Sequence, residues 1–334
     1  MSLKEQLAQR IRDNGPLSVA DYMAACVEHY YASRDPFGSQ GDFTTSPEIS
    51  QIFGELLGAW VADCWQRLGE PRCVLVELGP GRGTLMKDLL RATQNVKGFH
   101  DATDILLVEM SPVLRALQKK TLKKSHPRIR WQQNVEKLPA LPLLLIANEF
   151  FDALPIHQHL RENNQWQERK VALHGNALRF IPPGKVLGES SPASLNVAAR
   201  IASHITTHSG AALIIDYGYT GGSQGDTLQA LQAHKKANPL AHPGEADLTA
   251  HVDFDALLHT ARGRGAQSWN AVDQGTFLRR LGAELRATAL CKKASPEQQN
   301  IILSSLERLI APHQMGSLFK AIAFTSFMDK PAGF

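Results

Sequence analysis

Four strand-like runs, CVLVELG from Cys73, DILLVEM from Asp104, RIRWQQN from Arg128 and LLLIANEF from Leu143, constrain this chain more than any other feature. Helical patterns at 84–92 and 112–124 separate them. Strands joined by helical crossovers run parallel, and parallel strands buried on both faces read as unbroken apolar segments. The expectation is therefore an α/β, Rossmann-like fold whose loops at the carboxyl ends of the strands bind ligands.

The flanking segments extend that frame. Residues 3–12 and 18–33 read as helices, divided by Asn14, Gly15 and Pro16, and form a helical preface over 1–40 ahead of a main domain over 41–334. In GDFTTSPEISQIFGELLGAWVADCWQRLG, Ile49, Ile52, Phe53, Leu56, Leu57, Trp60, Val61, Cys64 and Leu68 recur at helical spacing. That helix starts either with a Thr45–Glu48 capping box or with Ser46 as cap and Pro47 at the first turn. After Pro155, HQHLREN, QWQERKVAL and LRFIPPG alternate around Asn163 and Asn164, which predicts antiparallel hairpins inserted over about 155–192. A helix at 193–208 leads to a fifth strand, AALIIDYG, expected to end near Asp216 or Tyr217. A second insertion, about 219–250, is rich in turn residues and reads as a long loop, and SLFKAIAFTSF is the last apolar run.

The glycines of VLVELGPGRGTL, at 79, 81 and 83, sit where the first strand meets its helix. Glycine there lets a ligand lie against the backbone without a Cβ clash, and the helix N-terminus offers free N–H groups. A phosphate loop would end in GK followed by Ser or Thr, whereas this one ends in Gly83-Thr84. A dinucleotide loop would read GxGxxG, and the chain holds no YxxxK. S-adenosylmethionine fits better, because it carries an ammonium, a carboxylate and a sulfonium but no pyrophosphate. Glu77 is placed for its amino-acid end, Glu109 for the ribose hydroxyls and Asn134 for the adenine edge. Taken singly, Glu77 or Glu109 reads more often as a strand-end carboxylate that caps a loop, and the three positions gain weight by agreeing with one ligand.

At the end of the fourth strand, NEFFDALP adds Asn148, counted with the cofactor shell, and Glu149 and Asp152, the candidate catalytic pair. Carboxylates near a transferred methyl suit a guanidinium through paired hydrogen bonds. Helix capping is an equal reading of Glu149 and Asp152. Asp216, Tyr217 and Asp226 are further cleft candidates, set against an ordinary turn, while His251 reads as a common residue at the start of a helix.

Composition limits the remaining classes. With 43% hydrophobic and 20% charged residues, and no apolar run long enough to span a bilayer, the chain reads as soluble. The net charge of +4 is mild, and KKTLKKSHPRIR from Lys119 reads as a solvated helix face, so a nucleic-acid partner is not expected. Cys26, Cys64, Cys73 and Cys291 form no CxxC pair, and His157 and His159 lack a third ligand, so no metal site is expected. A reducing compartment follows, and an N-terminus without an apolar leader makes the cytoplasm the default. GGSQG at 221–225 fits the GxSxG elbow of a hydrolase, but it lies several residues beyond the expected strand end and reads more simply as a loop.

Together, GDFTTSPEISQIFGE, VELGPGRGTLMKDLL, ANEFFDALPIHQ, IDYGY, GDTLQALQAHK and DLTAHVDF resemble the MidA-like S-adenosylmethionine-dependent methyltransferases over about residues 15–330. The resemblance implies a seven-stranded sheet whose last strand inserts antiparallel, with Gly79, Gly81, Gly83 and Glu109 on the cofactor. It also implies that Gly41, Asp42, Thr44 and Ser46, within 41–48, help to close the site. The family's mitochondrial member methylates an arginine during respiratory complex I assembly, which implies a protein substrate. Asn148-Glu149-Phe150-Phe151 departs from the Asn-Pro-Pro-Tyr of DNA and glutamine methyltransferases, and Glu149 and Asp152 lie closer together than the two glutamates of common arginine methyltransferases. A non-catalytic assembly factor that keeps the cofactor pocket is the rival reading, ahead of the hydrolase.

Overall fold

A computed structural model describes residues 1–33, 45–222 and 224–334. Its central sheet contains β1 (Cys73–Leu78), β2 (Thr103–Val108), β3 (Ile129–Gln132), β4 (Leu143–Asn148), β5 (Gly210–Tyr219), β6 (Gln267–Asp273) and β7 (Phe319–Thr325). Their order is 3-2-1-4-5-7-6. Strands β1 to β5 run parallel, while β7 is antiparallel to both β5 and β6. A two-residue strand, Val252–Asp253, runs beside the end of β5. Strand order reverses between β1 and β4, so the loops leaving those two strands diverge and open a crevice.

The reason for this arrangement is burial. Every residue of β1, β2 and β4 is buried, as the unbroken apolar runs require. One face packs Leu75, Ile105, Leu144 and Leu213 under the helices Gln51–Arg67 and Thr84–Ala92. The other packs Val76, Leu145 and Ile214 under the helices Pro192–His208 and Phe254–Gly263.

The long helix begins later than its apolar spacing suggests. Ser46–Ile49 is a separate short helix with Thr45 as N-cap and no side-chain cap bond, and Ser50 is extended. Ser50 caps Gln51–Arg67, its hydroxyl accepting the Ile52 N–H at 3.3 Å. Glu48 is drawn away from any capping box because it accepts the Thr84 hydroxyl.

The preface does not stand apart from the insertions. Leu17–Ser18 pairs antiparallel with Lys170–Val171, and Leu3, Leu7 and Tyr22 share an apolar cluster with Val171, Ala230 and Leu248. Asn163 and Asn164 take φ of 47° and 63°, as a two-residue hairpin turn demands. The second insertion is not a plain loop: Lys235–Ala237, Gln229–Gln232 and Asp247–Thr249 form a small antiparallel sheet. Its strands are short and polar, so their pairing comes from packing against the preface rather than from an apolar run. β5 also runs on to Tyr219, past the expected end. Ser223 of GGSQG lies outside the described residues. Part of the basic run is structural, since Arg128, Arg130 and Arg72 converge on Asp104 at 2.7, 3.3 and 3.5 Å.

Two glycines set the helix that follows the glycine loop. A Cβ at Gly54 would lie 2.7 Å from Asp88 Cβ, and one at Gly58 would lie 3.0 Å from the Leu89 carbonyl oxygen. Gly54→Val is expected to cost about 1–3 kcal/mol, the usual penalty of overpacking. Urea denaturation measures it, and an unchanged midpoint would mean that the helices separate freely.

Candidate active site

The glycine loop leaves β1 in a left-handed path. Gly79, Gly81 and Gly83 have φ of 60°, 53° and 82°, which side-chain-bearing residues adopt only with strain. The Gly79 N–H donates to the Val108 carbonyl at 3.0 Å, tying the loop to β2. A Cβ on Gly79 would stand 3.1 Å from the Phe150 ring, so the first glycine makes room for the β4 loop. Gly79 and Gly81 line a cavity, but Gly83 does not. It is the N-cap of Thr84–Ala92 and faces Leu122, because the turn needs its backbone rather than its open side.

Glu77 is 3% exposed, and its Oε2 has no hydrogen-bond partner. Burial, aided by the charge of Glu109, pushes its pKa up to about 8. A buried carboxylate left this way is costly and calls for a cationic or hydrogen-bonding partner. Glu109 accepts the Ser111 N–H at 2.8 Å and the Gln118 amide at 3.1 Å, and burial raises its pKa against those bonds. The same Gln118 nitrogen donates to the Gly81 carbonyl at 2.7 Å, while Trp131 Nε1 holds its Oε1 at 2.9 Å. Gln118 thus sets the loop and the ribose-side acid relative to each other. It escaped the sequence reading although its signal was present: it takes the middle position of Leu114, Gln118 and Leu122, a polar residue on a buried helix face. Asn134 lines the cavity but is exposed, its Oδ1 accepting the Glu136 N–H at 3.1 Å.

The β4 loop gathers the acids. Glu149 has φ of 52°, and its N–H donates to the Ile215 carbonyl at 2.9 Å. Its Oε1 accepts the Ser46 N–H at 2.9 Å and the Asn148 amide at 3.1 Å. Asn148 Oδ1 and Asp152 Oδ1 are buried without partners. Burial raises the pKa of Glu149 to about 7 and that of Asp152 to about 6, Tyr217 partly steadying the Asp152 anion.

Asp216 is not a cleft residue. Its Oδ2 accepts the N–H groups of Phe150, Phe151 and Asp152 at 3.1, 2.9 and 3.3 Å, and its Oδ1 accepts that of Tyr217 at 2.9 Å. The capping reading offered for the β4 acids therefore belongs to Asp216, which folds their loop. Tyr217 does line the cavity, in edge contact with His251 and Phe319. His251 lines it too, against expectation, whereas Asp226 is engaged outside it by Gln158 and Arg169. Tyr31 from the preface, which donates to Asp247 at 3.2 Å, and Asp247 from the second insertion complete that end. Both were missed because they are brought in from remote segments. Ser46 reaches the site through its backbone, and Gly41, Asp42 and Thr44 lie outside the described residues. Among the described residues no group of His, Cys, Asp and Glu could hold a metal, and no helix is long and apolar enough to cross a membrane.

One cavity of about 810 Å³ joins the glycine loop to this acidic end. That is room for a drug-sized molecule, with space for a second reacting group. A family model described as "Putative S-adenosyl-L-methionine-dependent methyltransferase" matches residues 56–187 and 177–272. A Drosophila melanogaster protein named protein arginine methyltransferase NDUFAF7 homolog, mitochondrial, is 37% identical, covering 96% of this chain and 84% of its own. The chain belongs to this methyltransferase family.

The human relative, protein arginine methyltransferase NDUFAF7, mitochondrial, is 34% identical over 95% of this chain and 82% of its own. The crystal structure of a Burkholderia thailandensis protein bound to S-adenosyl-homocysteine superposes with a TM-score of 0.86 at 27% identity, covering 99% of this chain and 93% of that one. S-adenosylmethionine is the cofactor of this methyltransferase, and the orphaned Glu77 oxygen and the left-handed glycine cradle fit it. The cytoplasmic expectation is corrected by the relatives, which are named mitochondrial. Compartment is read by receptors from address signals, so core composition could not carry it.

Two outcomes follow for the cofactor end. Gly81→Val, at a φ of 53°, is expected to weaken S-adenosyl-homocysteine binding about a hundredfold or more by calorimetry, and retained affinity would displace the ligand from this loop. Glu77 holds its proton more tightly folded than unfolded, so the stability it contributes is full below its ordinary 4.5 and is lost as pH rises through about 8. Melting temperature against pH, compared between the unsubstituted protein and Glu77→Gln, should show a steeper decline over that window in the former.

Proposed function

We propose that this methyltransferase acts on an arginine nitrogen of a protein substrate. The observation that carries the reading is the pairing of Glu149 and Asp152 on one loop, both lining the cavity and neither stabilised by a cation among the described residues. Buried carboxylates without cations are costly unless a cation arrives. A guanidinium satisfies two of them at once, which an ammonium does less well. The names of the relatives, protein arginine methyltransferases, support the same acceptor.

In this reading Glu77 would hold the ammonium of the cofactor, Glu109 its ribose hydroxyls, and Gly79 and Gly81 would lie against its methionine portion. When bound, S-adenosylmethionine supplies a methyl carbon on a sulfonium, which departs with the carbon–sulfur electron pair. Glu149 and Asp152 orient the guanidinium so that one nitrogen points its lone pair at that carbon. The nitrogen forms the new bond and gives up one proton, which Glu149, with its raised pKa, can accept. Asn148 Oδ1, buried and unpartnered, offers a second acceptor for a nitrogen-bound proton. The Phe150 ring lines the cavity beside the pair and packs edge-on against the buried Phe151 ring, which puts an apolar wall next to the transfer.

Incubation with methyl-labelled S-adenosylmethionine and mitochondrial protein extract, read by mass spectrometry, is expected to give methylarginine. Label on lysine or glutamine only, or none, would overturn the acceptor. Glu149→Gln and Asp152→Asn should each keep S-adenosyl-homocysteine affinity while lowering kcat about a hundredfold. Transfer should also rise with pH across about 6 to 7 as the two acids ionise. A flat profile would remove the carboxylates from the chemistry.

A further inference from the structure

The short helix Ser46–Ile49 touches both loops of the crevice. At one end the Ser46 N–H donates to Glu149 Oε1 at 2.9 Å. At the other, Glu48 Oε1 accepts the hydroxyl of Thr84, the first residue of the helix after the glycine loop, at 2.5 Å. The Arg82 guanidinium lies 4.0 Å from the other Glu48 oxygen. Between the two ends the turn is closed on the Thr45 carbonyl, which accepts from Glu48 N at 3.0 Å and Ile49 N at 3.3 Å. Ser46 and Pro47 are buried, so the turn is packed as well as hydrogen bonded.

We infer that Ser46–Ile49 is a strut that sets the Glu149 carboxylate, with Glu48 and Thr84 as positioning residues that anchor it to the cofactor loop. The inference rests on reading Glu149 as the acceptor carboxylate. The Glu149 backbone already sits at a φ that few non-glycine residues adopt, so its side-chain direction depends on what meets the carboxylate. Among the described residues the donors that do so are Ser46 N–H and Asn148 Nδ2, and both fall on Oε1, which turns Oε2 toward a guanidinium. Asn148 is on the same loop and moves with it. Ser46 is the donor that comes from outside, and Glu48 ties its helix to Thr84. The charged group acting on Glu149 is Asp152 on its own loop, which disfavours its anion, while the Ser46 N–H and the Asn148 amide favour it; Glu149 in turn raises Asp216 at the end of β5. Loosening the strut therefore raises the Glu149 pKa without touching either acid.

The same geometry explains the sequence SPE at 46–48 as a unit. Serine contributes a backbone donor, proline fixes the first turn of a helix too short to hold itself, and glutamate reaches the glycine-loop helix.

The test is the Glu149 titration, followed by carbon-13 NMR of carboxyl-labelled protein saturated with S-adenosyl-homocysteine and assigned with Glu149→Gln. Thr84→Val, which removes the hydroxyl and keeps the shape, should raise that pKa by about half a unit. Thr84→Ser should return it to the unsubstituted value, and S-adenosyl-homocysteine affinity should change by less than about threefold in both. An unmoved titration in Thr84→Val overturns the strut, as does a loss of cofactor affinity that Thr84→Ser does not restore. Because this readout needs no methyl acceptor, its failure is separate from a failure to find methylarginine.

Discussion

The parallel pairing of β1 with both β2 and β4 is the constraint on which the remaining structure depends. It makes β1 the strand where order reverses, so the loops leaving β1 and β4 point to opposite sides and leave a gap that neither can fill. Gly79 lets them pass close to each other at Phe150, and the cavity begins where they part. Each residue argued to matter for the chemistry is held by one of those loops or by a segment braced against them.

Negative charge is concentrated in a place that water cannot fully reach. Glu77, Glu109, Glu149, Asp152 and Asp247 line one crevice with Asp216 behind the β4 loop, and burial pushes all of these but Asp247 upward in pKa. Asp216 is the acid whose hydrogen bonds are met by four backbone N–H groups, and it spends them on folding the β4 loop. By contrast, Glu77 and Asp152 each hold a buried oxygen with no hydrogen-bond partner among the described residues. Such a site binds cations better than anions, and it does so at two ends of one cavity. A cofactor with an ammonium and a substrate with a guanidinium complement it.

The acidic end of the cavity is completed from outside the sheet. Tyr31 belongs to the preface, Asp247 and His251 follow from the second insertion, and these elements share one apolar cluster. The cofactor-binding sheet thus gains the far end of its cavity through additions that pack with each other, and sites on such additions vary without disturbing the core.

The sequence alone determined the strand and helix alternation, the glycine loop and the acids at the strand ends. These are local signals: apolar runs, a helix period and glycines at positions that need a left-handed backbone. It also carried the antiparallel last strand, although by family resemblance rather than by any pattern in SLFKAIAFTSF itself. The tertiary structure decided which acid does what. Asp216 and Asp152 look alike in the sequence, yet one is consumed by backbone N–H groups and the other faces the cavity. It also recruited Gln118, Tyr31 and Asp247, and turned His251 from an ordinary residue into part of the wall. Those assignments depend on long-range contacts, such as that of Tyr31 with Asp247, 216 positions apart, and no local period records a contact of that length.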